Sequence, residues 1–245
     1  MNDIRAQEIM RSLRDVYNSL TYFSDTRNSL WEEQAFFKDY VRSGMTVLDA
    51  GCGNGRLLEL FDGKKITYVG MDNSAKLLEK AQQYAHKFPN VSSRFFEGSI
   101  LSVPLPDSSV DILFCIATLH HIPSRTLQIK AAKEFRRVLK PGGILCMTNW
   151  YLSAQTKYST MQIRQRIMHP RMYAGFSYRD FLIPWHMKDK TLYRFYYAFS
   201  PLELKRVLRE AGFLQVDNSV SFGARDWSGM KTKRNIITVA RSARG

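Results

Sequence analysis

Glycines and carboxylates that could hold a nucleoside lie close together near the start of the central region. The segment Asp49-Ala50-Gly51-Cys52-Gly53-Asn54-Gly55 follows a short apolar run and precedes an amphipathic stretch. Glycines in such a turn let the backbone approach a ligand closely, because no side chain stands in the way. Asp72 ends the next apolar run, where a carboxylate can accept hydrogen bonds from both hydroxyls of a ribose. The two features predict a site for a nucleoside-containing cofactor.

Two adjacent histidines and three cysteines are further side chains that could do chemistry. His120-His121 follow an apolar run, and such a pair can either pack beneath the rim of a sheet or take part in a reaction. Cys52, Cys115 and Cys146 each lie inside or beside a predicted strand, which argues against a disulfide framework and against metal-ligand spacing. We expect reduced core cysteines and no metal site. The sequence contains no evident pairing of a nucleophile with a base.

The elements that would position these residues follow an α/β rhythm. Short apolar runs over 46–49, 67–72, 93–97, 110–116 and 143–148 alternate with amphipathic stretches over about 54–61, 74–87 and 126–139, a pattern typical of βα units in a parallel sheet. Two helices are expected within 5–41. A last helix begins with a capping pattern at Ser200 and ends at Gly212, and two strands over 214–220 and 235–241 follow it.

Residues 151–192 show no clean strand period and are interpreted as an insertion. We therefore expect one domain with four regions. These are N-terminal helices over the cofactor (1–45), a cofactor-binding core (46–150), an insertion that forms the acceptor region (151–199), and a final helix with two strands (200–245).

Positive charge is concentrated toward the end of the chain. The net charge is +14, and the residues from 151 onward hold seventeen Lys/Arg against six Asp/Glu, a difference of +11. A basic excess of this kind can mark a polyanion site, although a solvated surface would give the same count. We find no 18-residue apolar run and no charged-then-apolar leader, so we expect no membrane span, no secretory signal and a cytoplasmic location.

The D-x-G-x-G-x-G pattern of residues 49–55 resembles motif I of the class I methyltransferases that use S-adenosylmethionine (SAM). Residues 97–100 and 105–111 resemble the end of that superfamily's third strand and its run into the fourth. The resemblance implies a Rossmann-like fold with a seven-stranded, mostly parallel sheet, with SAM as cofactor and S-adenosylhomocysteine as product. It implies cofactor contacts at Asp49, Gly51, Gly53, Asp72, Asn73, Ser99, Ile100 and Cys115. Members usually carry Asp, which holds the adenine amino group, where this chain has Ser99.

Other segments resemble one group of that superfamily, the enzymes that esterify a carboxymethyl group on the wobble uridine of tRNA. They are Val16-Tyr17, Phe23, Thr26-Arg27, Trp31, residues 116–122, residues 180–185, and residues 194–199 with Glu203-Leu204. The resemblance implies tRNA as a partner and leaves open a small activating subunit. Tyr197 stands where the group has histidine, which would signal a different acceptor if that histidine shapes the pocket.

The same resemblance implies roles on the acceptor side. A carboxylate acceptor is already ionised at pH 7 and needs no general base. We expect it to be oriented by His120, His121, Arg125 and Arg194. A flipped base would stack on residues among Trp150, Trp185, Tyr196 and Tyr197. Arg27 would hold the methionine carboxylate of SAM, whereas Tyr17 and Phe23 are expected to pack.

Two alternatives stay open. A small-molecule methyltransferase could use 151–192 as a lid over a metabolite or lipid pocket, and the phenylalanine- and methionine-rich composition fits that alternative. A methyltransferase-like protein that binds RNA or a partner chain without catalysis is favoured by Ser99 and Tyr197, but the complete glycine loop and Asp72 count against it. Binding of SAM, and salt-sensitive binding of tRNA, would separate the three.

Overall fold

The structure is a computed structural model that describes residues 1–19, 32–152, 156–187, 191–225 and 231–243. The α-helices are α1 (Asp3–Ser19), α2 (Ala75–Ala85), α3 (Arg125–Val138), α4 (Thr156–Met168) and α5 (Pro201–Glu210). The 3₁₀ helices are Glu32–Tyr40, Arg56–Phe61 and Leu119–His121. The strands are β1 (Thr46–Ala50), β2 (Thr67–Asp72), β3 (Ser92–Glu97), β4 (Val110–Ile116), β5 (Leu139–Trp150), β6 (Asp180–His186), β7 (Thr191–Tyr197), β8 (Phe213–Arg225) and β9 (Lys231–Ser242).

Seven strands form the central sheet in the order β3-β2-β1-β4-β5-β9-β8. The first five are parallel, whereas β9 pairs antiparallel with both β5 and β8. This confirms the predicted α/β fold with a seven-stranded, mostly parallel sheet. Because the chain runs outward from β1 to β3 and then returns to β4 on the other side, the strand order reverses between β1 and β4. Ligands of open α/β sheets bind at the carboxyl ends of the strands at such a point.

The core lies on both faces of this sheet. One cluster packs α3 and α5 against it through residues such as Phe135, Leu204 and Phe213. The other packs the segment Arg56–Phe61 against the opposite face through Leu58 and Phe61. Apolar residues on both sides explain why the sequence shows continuous apolar runs for the parallel strands rather than alternation.

The insertion contains a strand hairpin that the sequence pattern did not predict. Strands β6 and β7 pair antiparallel as a separate two-stranded sheet, preceded by α4. Phe181, Leu182 and Ile183 are all buried although neighbouring side chains on a strand face opposite ways. The hairpin is therefore covered on both faces, and the period-two signal on which a strand prediction depends is absent.

The first helix packs onto this hairpin. Ile9 and Leu13 of α1 share a buried cluster with Leu182 and Phe195, so α1 is joined to the insertion rather than to the central sheet alone. No helix in the described parts of the chain is long and apolar enough to cross a membrane.

Candidate active site

A cavity of about 530 Å³ opens at the carboxyl ends of β1, β2 and β4. The glycine loop and Asp72 line one end of it, and residues of β5 and β7 line the other. Helix α1 covers it with one face, formed by Gln7, Met10, Arg11, Leu13, Arg14 and Tyr17. The cavity therefore lies where the strand order reverses and has two chemically different ends.

The glycine loop is held against β2 in a conformation that requires glycine. Gly51 has a φ of 88°, and a Cβ there would lie 2.2 Å from Oγ1 of Thr118. Its amide and that of Cys52 donate hydrogen bonds to the Met71 carbonyl, at 2.7 and 3.0 Å. Gly53 has a φ of 55°, and a Cβ there would meet nothing within 4 Å. The loop thus leaves open space beside its backbone, as a close ligand approach requires.

Asp72 closes the same end of the cavity. Its carboxylate accepts hydrogen bonds from the amides of Gly53, at 2.9 Å, and Ser74, at 3.0 Å. Burial raises the pKa of Asp72, and these amide hydrogen bonds oppose the rise. Since an ionised carboxylate offers about four acceptor positions, the amides do not use all of them, and Asp72 can also accept from hydroxyl groups such as those of a ribose.

Asp49 is a buried carboxyl group whose hydrogen bonding is incomplete. Oδ2 accepts the hydroxyl hydrogen of Tyr68 at 2.6 Å, and Oδ1 has no hydrogen-bond partner among the described residues. Burial raises the pKa of Asp49 to about 7; the hydrogen bond from Tyr68 opposes the rise and the charge of Asp72 adds to it. An unsatisfied buried acceptor at the wall of a cavity fits a ligand that brings a positive charge or an N–H donor.

The other residues predicted for the cofactor divide into three sets. Asn73, Ser99 and Ile100 line the cavity. Cys115 is fully buried in β4 within the core cluster and is not one of the lining residues, and burial raises the pKa of its thiol; a contact with the cofactor there remains a prediction. Arg27 lies outside the described residues, as do Phe23 and Trp31. The described residues include no group of three or more His, Cys, Asp or Glu that could hold a metal ion.

Aromatic rings form the opposite end of the cavity. Tyr196 stacks between Trp150 and His120, with ring centroids 5.0 Å apart on each side and interplanar angles of 24° and 29°. All three rings line the cavity, and Tyr196 is almost fully buried. A planar ligand would meet a wall of stacked rings here.

The hydrogen bonds of the two histidines fix their orientation. Nδ1 of His121 lies 2.7 Å from the Phe195 carbonyl, which can only accept, so Nδ1 carries a hydrogen. Nε2 of neutral His121 then accepts from the Tyr17 hydroxyl at 2.9 Å. Nδ1 of His120 accepts from the Trp150 amide at 3.2 Å. Both nitrogens of His121 therefore hold structural contacts.

Arg194 is a buried cation at this aromatic end. It is 4% exposed, and its guanidinium lies 4.5 Å from the centroid of Trp185 and 5.4 Å from that of Tyr196. Within the parts of the chain that the structure describes, it forms no ion pair, and its buried Nε has no hydrogen-bond partner. Because burying an uncompensated charge is costly, this arrangement fits an anionic ligand in the cavity.

Three residues predicted for the acceptor side lie outside the cavity lining. Arg125 is half exposed and pairs with Glu210 at 2.6 Å. Trp185 packs against the guanidinium of Arg194 instead of facing the cavity. The Tyr197 hydroxyl donates to Glu203 at 2.5 Å, since neighbours on a strand face opposite ways and Tyr196 takes the cavity side. The predicted roles of these three residues toward an acceptor remain predictions, and none of the three side chains lines the cavity.

Sequence reasoning also missed part of the site. Tyr17 was expected only to pack, yet it lines the cavity and binds His121. Arg11 and Arg14 also line the cavity. The sequence feature that could have indicated these residues is the polar face of α1. Periodicity alone does not distinguish a polar helix face that covers a cavity from one that faces solvent.

Comparison with known proteins gives matches over most of the chain. A family model described as "Methyltransferase domain" matches residues 48–147. A relative from Encephalitozoon cuniculi that bears the name of a methyltransferase is 31% identical over 197 residues, 80% of this chain and 83% of that protein. The tRNA (carboxymethyluridine(34)-5-O)-methyltransferase of Mus musculus is 30% identical over 151 residues, and the match covers 60% of this chain but only 21% of that longer protein.

Solved structures share the fold. A SAM-dependent methyltransferase from Methanosarcina mazei superposes with a TM-score of 0.70 at 20% identity, over 89% of this chain and 100% of that one. A methyltransferase from Haloferax volcanii, solved in complex with the Trm112 methyltransferase activator, superposes with a TM-score of 0.64 at 19% identity, over 95% of this chain and 98% of that one.

Proposed function

Because the chain belongs to the SAM-dependent methyltransferases, we propose that it methylates a carboxylate, the carboxymethyl group on the wobble uridine of tRNA. The observation that carries the proposal is the buried guanidinium of Arg194, which forms no ion pair within the described chain. A carboxylate drawn to it would satisfy the buried charge and place its oxygen inside the cavity. The name of the mouse relative supports the same acceptor.

We assign the cofactor to the end of the cavity formed by the glycine loop and Asp72. Gly51 and Gly53 would admit it close to the backbone, and Asp72, Asn73, Ser99 and Ile100 would hold its nucleoside part. Asp49 would favour a positive group, through the unsatisfied Oδ1. When bound, SAM supplies a methyl group on a positively charged sulfur, which leaves as a neutral thioether.

The residues of the acceptor end would position and desolvate the substrate. Trp150 and Tyr196 belong to the aromatic wall against which a flipped uracil ring would lie; Trp150 is the ring that could stack on it, because both faces of Tyr196 are already covered by Trp150 and His120. Arg194 would orient the carboxylate. His121 holds Tyr17 and the Phe195 carbonyl, and in this role it shapes the wall rather than moving a proton. Exclusion of water from a carboxylate that is already ionised would raise its reactivity without a base.

The test is incubation with methyl-labelled SAM and total tRNA, followed by nucleoside analysis. We expect the label in a uridine derivative. Mild alkali should release the labelled methyl group from it, because an ester is base-labile. Since the Haloferax volcanii neighbour was solved with an activator, the assay is run with and without a small activator of the Trm112 kind. Label in a base-stable product, or in small metabolites only, would overturn the proposal.

Two arginine variants sharpen this assay. Arg194→Ala should lower kcat/KM for tRNA roughly 10- to 100-fold, as expected for one charge-assisted hydrogen bond. Arg125→Ala is the matched control, because Arg125 pairs with Glu210 outside the cavity, and it should stay within about threefold of the parent. An equal loss of kcat/KM in both variants would show that Arg194 does not orient the carboxylate.

A further inference from the structure

We propose that Arg11 and Arg14 bind the RNA backbone at the mouth of the cavity, an inference that rests on the proposed RNA acceptor. The two residues lie one turn apart on α1 and belong to the face that covers the cavity. Both are exposed although they line it, so each guanidinium is open to solvent and to the cavity entrance.

Neither arginine is neutralised by the protein. Glu8, three residues before Arg11, pairs with Arg5 at 3.0 Å instead. Asp15, four residues after Arg11, forms no ion pair with it. Across the described residues, the side chains of Arg11 and Arg14 form no ion pair and no hydrogen bond. Two adjacent unpaired arginines on one helix face fit phosphate groups, which guanidinium binds in a two-pronged geometry.

The shape of the cavity explains why phosphates would stay at the mouth. The volume of about 530 Å³ must hold the cofactor at one end and the acceptor group at the other. A nucleotide within RNA carries a phosphate on each side of its sugar. Only its base can reach the stacked rings of Trp150 and Tyr196. The flanking phosphates would therefore stay outside, at the rim of the cavity that α1 forms. Arg11 and Arg14 line the cavity and are exposed to solvent, so they lie at its rim on α1.

The charge of the neighbouring chain is consistent with a polyanion on this side. Residues 151–179 contain five Lys/Arg and no Asp or Glu. This segment meets α1 directly, because Arg5 donates a hydrogen bond to the Met172 carbonyl and Leu13 packs with Tyr173. Arg179 of these five pairs with Glu203 at 3.2 Å, whereas Arg164 and Arg171 are exposed and form no ion pair among the described residues. A strand that leaves the mouth past α1 would therefore meet further positive charge.

The experiment measures tRNA binding against salt for four proteins. The test variant is Arg11→Ala/Arg14→Ala. The matched control is Lys130→Ala/Lys133→Ala, which removes the same charge at the same spacing from exposed positions of α3 that do not line the cavity. A third variant, Arg11→Lys/Arg14→Lys, keeps the charge. Urea denaturation of each shows that it is folded.

We expect the slope of log affinity against log salt to become less steep by about 1.5 in the alanine pair, because two phosphate contacts are lost. The lysine pair should keep most of the slope, and the α3 control should keep all of it. An unchanged slope in the alanine pair, or an equal change in the α3 control, would overturn the inference.

Binding is measured without catalysis, so this result is independent of the methylation assay. Suppose that the parent protein binds tRNA and the alanine pair shows the expected slope change, but the parent forms no uridine ester. The contacts of Arg11 and Arg14 with RNA then stand, and the proposed acceptor fails. If the ester forms and the slope is unchanged, the acceptor stands and the role of Arg11 and Arg14 fails.

Discussion

At the scale of single residues, Asp49 has opposing effects on folding and on cofactor binding. Its pKa of about 7 lies well above the ordinary value of 3.8, so the folded chain binds this proton more tightly than the unfolded chain does. The stabilisation this gives is complete below about pH 4 and is lost as the pH rises toward 7. The same ionised carboxylate that destabilises the fold above pH 7 would attract a cationic group of the cofactor.

Asp49→Asn should therefore stabilise the fold and weaken cofactor binding. Relative to the parent, the variant should gain a few kcal/mol in the free energy of unfolding at pH 8, at about 1.4 kcal/mol per pKa unit, and little at pH 4. Its affinity for SAM should fall at pH 8. Urea denaturation at both pH values and calorimetry measure the two effects. A loss of stability in the variant at pH 8 would show that ionisation of Asp49 does not destabilise the fold.

Ser99 is the residue at which this chain departs from its superfamily inside the cavity. Its side chain accepts a hydrogen bond from the Leu101 amide at 3.2 Å, so the turn does not depend on a carboxylate. Ser99→Asp should raise the affinity for SAM about tenfold, because a hydrogen bond from the adenine amino group to a charged acceptor contributes about 1.5 kcal/mol. Ser102→Asp, close by in the chain but outside the cavity lining, is the control. Unchanged calorimetric affinity in Ser99→Asp would place the adenine elsewhere.

At the scale of elements, Gly51 in the loop after β1 is subject to two constraints that glycine alone satisfies, a positive φ and a close neighbour. Gly51 and Gly63 both have positive φ, 88° and 76°. Only at Gly51 would a Cβ collide with a neighbour, Thr118 at 2.2 Å, whereas at Gly63 it would meet nothing within 4 Å. The pair therefore separates backbone strain from steric conflict.

Gly63→Ala should cost about 1 kcal/mol in the free energy of unfolding, the usual penalty for a left-handed alanine. Gly51→Ala should cost more by at least 1–2 kcal/mol, since overpacking adds to it, and it should also weaken SAM binding. Urea denaturation of both variants checks the difference. Equal costs would mean that Thr118 moves aside freely.

The elements that sequence reasoning found are those with a clear period. The bounds of β2 and β4 match the expected 67–72 and 110–116, because flanking acids and turns delimit each apolar run. The hairpin β6–β7 was not predicted, because β6 is buried on both faces and shows no period of two. The sequence could not show which residues of β7 line the cavity for a related reason: Arg194 and Tyr196 share one face of β7 and Tyr197 lies on the other. No period fixes which face of a strand meets a cavity before the partner elements are known.

At the scale of the whole molecule, the cavity is assembled from distant parts of the chain. Residues of the core form the cofactor end, whereas the insertion contributes Arg194 and Tyr196, and α1 covers both ends. Tyr17 and His121 join α1 to the Phe195 carbonyl of β7, and Asn18 accepts a hydrogen bond from Ser74, the residue that caps α2 beside Asp72. The covering helix is thus tied to both ends independently.

This arrangement predicts that cofactor binding and acceptor binding can be separated. SAM at about 100 times its dissociation constant should raise the free energy of unfolding by about 2.7 kcal/mol. Arg194→Ala should keep that increase, because Arg194 lies at the aromatic end, while losing activity toward tRNA. Asp72→Ala should lose the increase, because it removes the carboxylate assigned to the ribose. Thermal unfolding with and without SAM measures both, and loss of the SAM effect in Arg194→Ala would show that the two ends act as one site.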